Sequence, residues 1–298
     1  LNDTDNTVIY LILPTMIDAL NDFEGNTQTM IFERISFIIK TFKYICRPFI
    51  SDLVDVVIKY FFEREFQKII CEILMKMLEL FLDDMENYFP KLVPIMLEVL
   101  NDKTTYDKAT TITMRKNIFK CFIFMSSKIS NYLGLVVPEM VNILYSSMNE
   151  IKYDYVYASN IVNNINTKNA ISSIATGSSF TPSNNTSMTG INDEKGRDEE
   201  IFVFIENIIK LPAFSQQMPK VISILLKYME VIPSSREKIM KIFLLMMNNF
   251  KNIFLTFFPL VVRTSKAIGI PQLQFFNAFK KALERDAIIE LIHNYDPK

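Results

Sequence analysis

Pro48-Phe49-Ile50-Ser51-Asp52-Leu53-Val54 and Pro90-Lys91-Leu92-Val93-Pro94-Ile95-Met96 are two versions of one pattern, matched when Asp52 takes the place of Pro94, 42 positions on. Four further prolines enter apolar runs in similar settings: Leu13-Pro14-Thr15-Met16, Val137-Pro138-Glu139-Met140, Met218-Pro219-Lys220-Val221 and Phe258-Pro259-Leu260-Val261. Proline is tolerated in the first turn of a helix, where its missing N–H breaks no bond. Each of these helices is therefore expected to start just before its proline, which makes Pro94, Pro138 and Pro259 markers of turns. The anchors then stand at 14, 52, 94, 138, 219 and 259, with intervals of 38, 42, 44, 81 and 40. A period near 40 with two helices per unit is the mark of HEAT or armadillo repeats. The interval of 81 reads as one unit plus an insertion.

The windows between anchors carry the helical period. Ile31, Ile35, Ile38, Ile39 and Phe42 fall at steps of three and four. So do Ile70, Ile73, Leu74, Met77, Leu78 and Phe81, then Ile118, Phe119, Phe122 and Met125, then Ile239, Ile242, Phe243 and Met246. That spacing lays one apolar stripe along a helix. Long strand-like alternation and the hairpin dipeptides Asn-Gly and Asp-Gly are missing, so the expected fold is all-α. The expected architecture is an α-solenoid of HEAT-like helix pairs: 28–45 with 48–62, 65–84 with 88–102, 107–129 with 132–148, 199–211 with 215–231, and 233–250 with 252–267. A lone helix, 8–21, leads and a last one, 271–293, follows.

Residues 1–158 and 198–298 thus read as one solenoid. Between them, 159–197 is a low-complexity insertion rich in Asn, Ser and Thr, with three of the chain's six glycines. Such a composition cannot bury enough surface to offset its ordering entropy, and a mobile loop is expected from about 167 to 197. Asp198-Glu199-Glu200 then suits the positive end of a resuming helix.

Composition narrows the function. The 298 residues carry 32 basic and 33 acidic side chains, and 49% are apolar; the mean hydropathy is +0.17 and the pI near 6.1. So balanced a charge argues against a nucleic-acid partner. The most apolar run, Ile253 to Val262, holds Pro259 and stops at Arg263, short of a membrane span. Three cysteines suit a reducing compartment, hence a cytoplasmic protein. The chain begins at Leu1, which suggests a piece of something longer.

Tools for catalysis are scarce. There is one histidine, His293, and no phosphate-binding glycine motif. The kinase signatures His-Arg-Asp and Asp-Phe-Gly do not occur. Cys46, Cys71 and Cys121 lie in apolar helical stripes, which suits buried, inert thiols. No catalytic residue, metal ligand or cofactor is therefore expected in this segment. The acidic pairs Asp83-Asp84 and Glu199-Glu200 read as solvated helix ends. Lys40, Lys43 and Arg47, then Lys116 and Lys120, then Lys280, Lys281 and Arg285 read first as solvated faces and second as ridges for a protein partner. Thr181-Pro182 is a minimal proline-directed phosphorylation site.

The stretch Ile35-Ser36-Phe37-Ile38-Ile39-Lys40-Thr41-Phe42-Lys43-Tyr44-Ile45-Cys46-Arg47-Pro48-Phe49 resembles the HEAT region of target-of-rapamycin (TOR) Ser/Thr kinases, where a helix ends in an Ile-Arg-Pro-Tyr-like turn. Asp52-Leu53-Val54-Asp55-Val56-Val57 is similar to the acidic-apolar helix that follows it there. The runs from Tyr88 to Leu100, Tyr132-Leu133 with Val136-Val137-Pro138, Pro233 to Lys238, and Pro259 to Thr264 look like the same family in the same order. The likeness covers about 8–150 and 233–275, and departs at the insertion and at 199–231. It implies a non-catalytic scaffold segment of a very large kinase, with the kinase region elsewhere. The implied partners are the parent kinase's own chains and regulatory subunits of a large growth-signalling complex. The implied location is cytoplasmic, peripheral on endomembranes through those partners. It gives Arg47 and Pro48 a structural role at an inter-helix corner. An independent HEAT adaptor, of the nuclear-transport or phosphatase-scaffold type, is the other reading, and an all-α enzyme the third.

Overall fold

The computed structural model describes residues 3–101, 108–151, 198–270 and 279. The described chain is helical, with no strand among the described residues. In order the helices are α1 (Asp3–Ala19), α2 (Asn26–Phe42), α3 (Ile50–Tyr60), α4 (Gln67–Met85), α5 (Phe89–Asn101), α6 (Lys108–Met125), α7 (133–151), α8 (Glu199–Ile208), α9 (Met218–Val231), α10 (Arg236–Asn249) and α11 (Lys251–Ala267). Short 3-10 segments, Lys43–Phe49, Glu86–Tyr88, Ser130–Tyr132, Pro212–Gln216 and Pro233–Ser235, lie between consecutive helices.

The apolar stripes become the core. Ile70, Ile73, Leu74, Met77, Leu78 and Phe81 of α4 are all buried, as are Ile118, Phe119, Phe122 and Met125 of α6. In α2 the deepest large side chain is Phe32, beside Ile35, Ile38 and Ile39. Its ring lies 5.1 Å from that of Tyr60 and 5.0 Å from that of Phe66. These edge-on and tilted contacts add directional attraction to the burial of aromatic area.

The chain forms two compact units. The first holds residues 1–139 and 198–218. In it α2, α4, α6 and α8 pack on one another in succession, and α1, α3 and α5 do the same. The two rows meet where α1 touches α2, α3 touches α4, and α5 touches α6. Composition alone separates 1–158 from 198–298, but α8 groups with the first unit because its Phe204 sits 5.9 Å from Phe119 and 5.8 Å from Phe122 of α6. The second unit holds 140–197 and 219–298. There α10 packs on α11, and Phe243, Phe254, Phe258 and Phe279 form a ring cluster, with Phe254 and Phe279 stacked at 6.3 Å.

The prolines correct an expectation. Pro219 is the second residue of α9, but Pro14, Pro94 and Pro259 lie well inside α1, α5 and α11, and Pro138 is the sixth residue of α7. Pro94, Pro138 and Pro259 are therefore helix-interior residues, not turns. A proline inside a helix deprives the carbonyl four residues earlier of its donor. For Pro14, Pro94 and Pro138 that earlier residue is Tyr10, Pro90 or Gly134, each on the exposed side of its helix. Water can serve such a carbonyl, and the helix runs on.

The insertion 159–197, Thr181, the basic run 280–285, His293 and most of the expected last helix 271–293 lie outside the described residues.

Candidate functional site

The corners of the first unit gather its most distinctive polar groups. Arg47 and Pro48 both lie in the 3-10 segment Lys43–Phe49 that joins α2 to α3. Cys46 and Phe49 of the same segment point inward and are buried, which pins the corner and turns Arg47 to solvent. Arg47 Nη2 donates to Asp84 Oδ1 at 2.8 Å, with side-chain exposures of 63% and 33%. The hydrogen bond and charge of Asp84 raise the pKa of Arg47.

Asp84 belongs to the last turn of α4, beyond a break in the helix. Phe81 there has φ −132° and ψ 32°, outside helical values. Its ring is buried and meets that of Tyr44 edge-on at 6.2 Å. Past the break, Asp83 and Glu86 face Lys128, each 3.1 Å from its ammonium group. Glu86 first and Asp83 second raise the pKa of Lys128 by hydrogen bonding to it. Arg47, the Asp83-Asp84 pair and Lys128 thus form a file of alternating charge across three successive corners. These pairs are exposed, and screening by water and salt limits what they add to stability.

The acidic pair was therefore more than a solvated helix end, and a signal for that existed. Asp84 follows Arg47 by 37 residues, close to the spacing of about 40 expected from the prolines, so opposite charges at that spacing could have been paired from the sequence. Lys116, read as a solvated basic residue, pairs with Glu200 in the first turn of α8 at 3.3 Å.

A cavity of about 590 Å³ opens beside Arg47, walled by Tyr10 of α1, Tyr44 and Arg47 of the first corner, and Asp84, Asn87 and Tyr88 of the second. Lys43, immediately before Tyr44, has φ 46° and ψ −118°. That is left-handed backbone, costly for a residue with a Cβ. It ends α2, whose C-cap residue is Lys43.

The thiols, Cys46 of this corner among them, stay protonated. Burial pushes Cys46 from the ordinary 9.0 to about 11 and Cys71 to about 12, and drives Cys121 up as well. A thiol held that high supplies no thiolate nucleophile at neutral pH. Among the described residues no group of three or more His, Cys, Asp or Glu could hold a metal ion, and no helix is long and apolar enough to cross a membrane. The corner gathers aromatic faces, hydrogen-bonding groups and a compensated ion pair.

No protein-family model matches this chain, and no curated protein matches it.

Proposed function

We propose that this chain is a HEAT-repeat scaffold segment of a TOR-like Ser/Thr kinase, holding subunits of a large signalling complex and carrying no active site of its own. The observation that supports the repeat reading is the separation of partners in the first unit. The Tyr60 hydroxyl donates to the Leu20 carbonyl 40 residues back, and Lys76 donates to Ser36 Oγ across another 40. Lys59 reaches Asn21 across 38, and Arg47 reaches Asp84 across 37. Contacts at one nearly constant separation are what stacked helix pairs make, since each unit buries its face on the next. Two parallel rows of helices, α2-α4-α6-α8 and α1-α3-α5, fit the same plan.

The kinase assignment rests on the residues that resemble TOR, chiefly Ile35 to Phe49 and Tyr88 to Leu100. The mechanism is geometric: a stack of helix pairs offers a long surface over which binding energy is spread. Partners are then protein subunits, at a cytoplasmic site or on an endomembrane reached through them.

Two measurements test the proposal. Purified chain incubated with Mg-ATP is expected to show neither turnover nor phosphotransfer, and robust hydrolysis would overturn it. Affinity capture from the cells that make the chain is expected to return a TOR-like kinase polypeptide with its regulatory subunits. Transport cargo or a phosphatase catalytic subunit in their place would favour an independent HEAT adaptor.

A further inference from the structure

The corner cavity is lined by aromatic rings and uncharged polar groups around one ion pair. Tyr10, Tyr44, Tyr88, Ser51 and Asn87 line it, and none of their side-chain hydroxyl or amide groups hydrogen-bonds to another described residue. Arg47 spends one guanidinium N–H on Asp84 and keeps others, because the fork carries five. Among the described residues of the wall, the one carboxylate, Asp84, is charge-matched by Arg47. The wall therefore offers hydroxyl, amide and guanidinium donors and no net charge, between three aromatic rings.

The rings are held in place. Tyr10 packs on Phe49 with centroids 5.4 Å apart, and Tyr44 meets the ring of Phe81. Phe49 and Phe81 are themselves buried, so two of the three tyrosines stand on the core. Tyr44 and Tyr10 are nonetheless 68% and 54% exposed, and their outer faces are open to a ligand.

We infer that this cavity is a docking site for a proline-rich segment of a partner protein in the polyproline II conformation. The inference rests on reading the chain as a binding scaffold, not on its family. Polyproline presents backbone carbonyls that accept and, at proline, no N–H that donates. It also presents flat apolar rings, and aromatic-lined grooves recognise them. Hydroxyl, amide and guanidinium donors set between aromatic faces can serve those carbonyls and rings. The volume of about 590 Å³ falls within the usual range for a ligand site, and a polyproline turn needs only three residues at roughly 3.1 Å each. A phosphopeptide fits less well, because Arg47 has its counter-charge. An amphipathic helix fits less well, because it asks for a greasy groove and not for donors.

The test is fluorescence anisotropy of a dye-labelled decaproline peptide titrated with the whole chain. A Gly-Ser peptide of equal length and a phosphotyrosine peptide run beside it. Saturable binding of decaproline, with the Gly-Ser peptide at least about tenfold weaker, is expected. Tyr44→Ala should weaken decaproline about tenfold through lost ring contact, and Tyr44→Phe about threefold through the hydroxyl alone. Tyr145→Ala, an exposed tyrosine of the second unit, should leave binding unchanged. Preference for the phosphopeptide, equal binding of the Gly-Ser peptide, or decaproline binding that ignores both Tyr44 variants overturns the inference. If decaproline fails to bind while the chain still captures its partner proteins, the docking site falls and the scaffold reading stands.

Discussion

Tyr60 is the residue on which the start of the first unit turns. It comes from the end of α3, its ring packs against Phe32 and Phe66, and its hydroxyl reaches the Leu20 carbonyl after α1 at 2.8 Å. Two helices and two turns meet at one side chain. Tyr60→Phe keeps the ring and removes one of two donors to that carbonyl, since Gln28 Nε2 also donates to it at 2.9 Å. Such a loss costs about 0.5–1.5 kcal/mol, to be read as a drop in urea midpoint at unchanged slope. The thiols give a second prediction at this scale. Their folded pKa values stand above the unfolded value of 9.0, at about 11 for Cys46 and about 12 for Cys71. The unfolded chain therefore loses these protons first as pH rises. Their contribution to stability is whole below pH 9 and falls away as pH climbs through 11 to 12. Thermal melts across that range should show the decline. An aromatic disulfide reagent near neutral pH should find the three cysteines silent until denaturant is added.

At the scale of the element, the sequence was legible where one period ruled. The stripes of α4, α6 and α10 named their buried residues correctly because the 3.6-residue repeat and one-sided burial are the same fact seen twice. It failed where a local rule met a tertiary context. Proline at the first turn is a sound preference, yet Pro94 lies five residues past the start of α5, on an exposed face. There its ring costs a hydrogen bond without displacing the core. Pro94→Ala should restore that donor toward Pro90 and raise stability by about 1–3 kcal/mol; a lower melting temperature would mean instead that the bend is required. The break at Phe81 had no signal at all, since phenylalanine at a core position neither favours nor forbids it. With the break unseen, the partners of Asp83 and Asp84 were unseen too, and so was the cavity. Arg47 and Pro48 were legible as residues of a corner, but not the tyrosines around them, which come from three elements.

For the whole molecule, the account depends on helix pairs following one another at about forty residues, with the order resumed after the insertion. The first unit offers a chemical reading of that order, because several of its ion pairs join lysine to carboxylate. Lys128 stands 3.1 Å from Asp83 and from Glu86, and Lys116 stands 3.3 Å from Glu200 on the far side of the insertion. Lys241 and Glu237, one helical turn apart at 2.9 Å, supply an internal control. The decisive measurement is zero-length carbodiimide cross-linking of the chain in dilute solution, read by peptide mass spectrometry. A stack of helix pairs predicts amide links from Lys128 to Asp83 or Glu86 and from Lys116 to Glu200, alongside the local link between Lys241 and Glu237. The local link alone, or Lys116 joined to carboxylates of other helices, would contradict it.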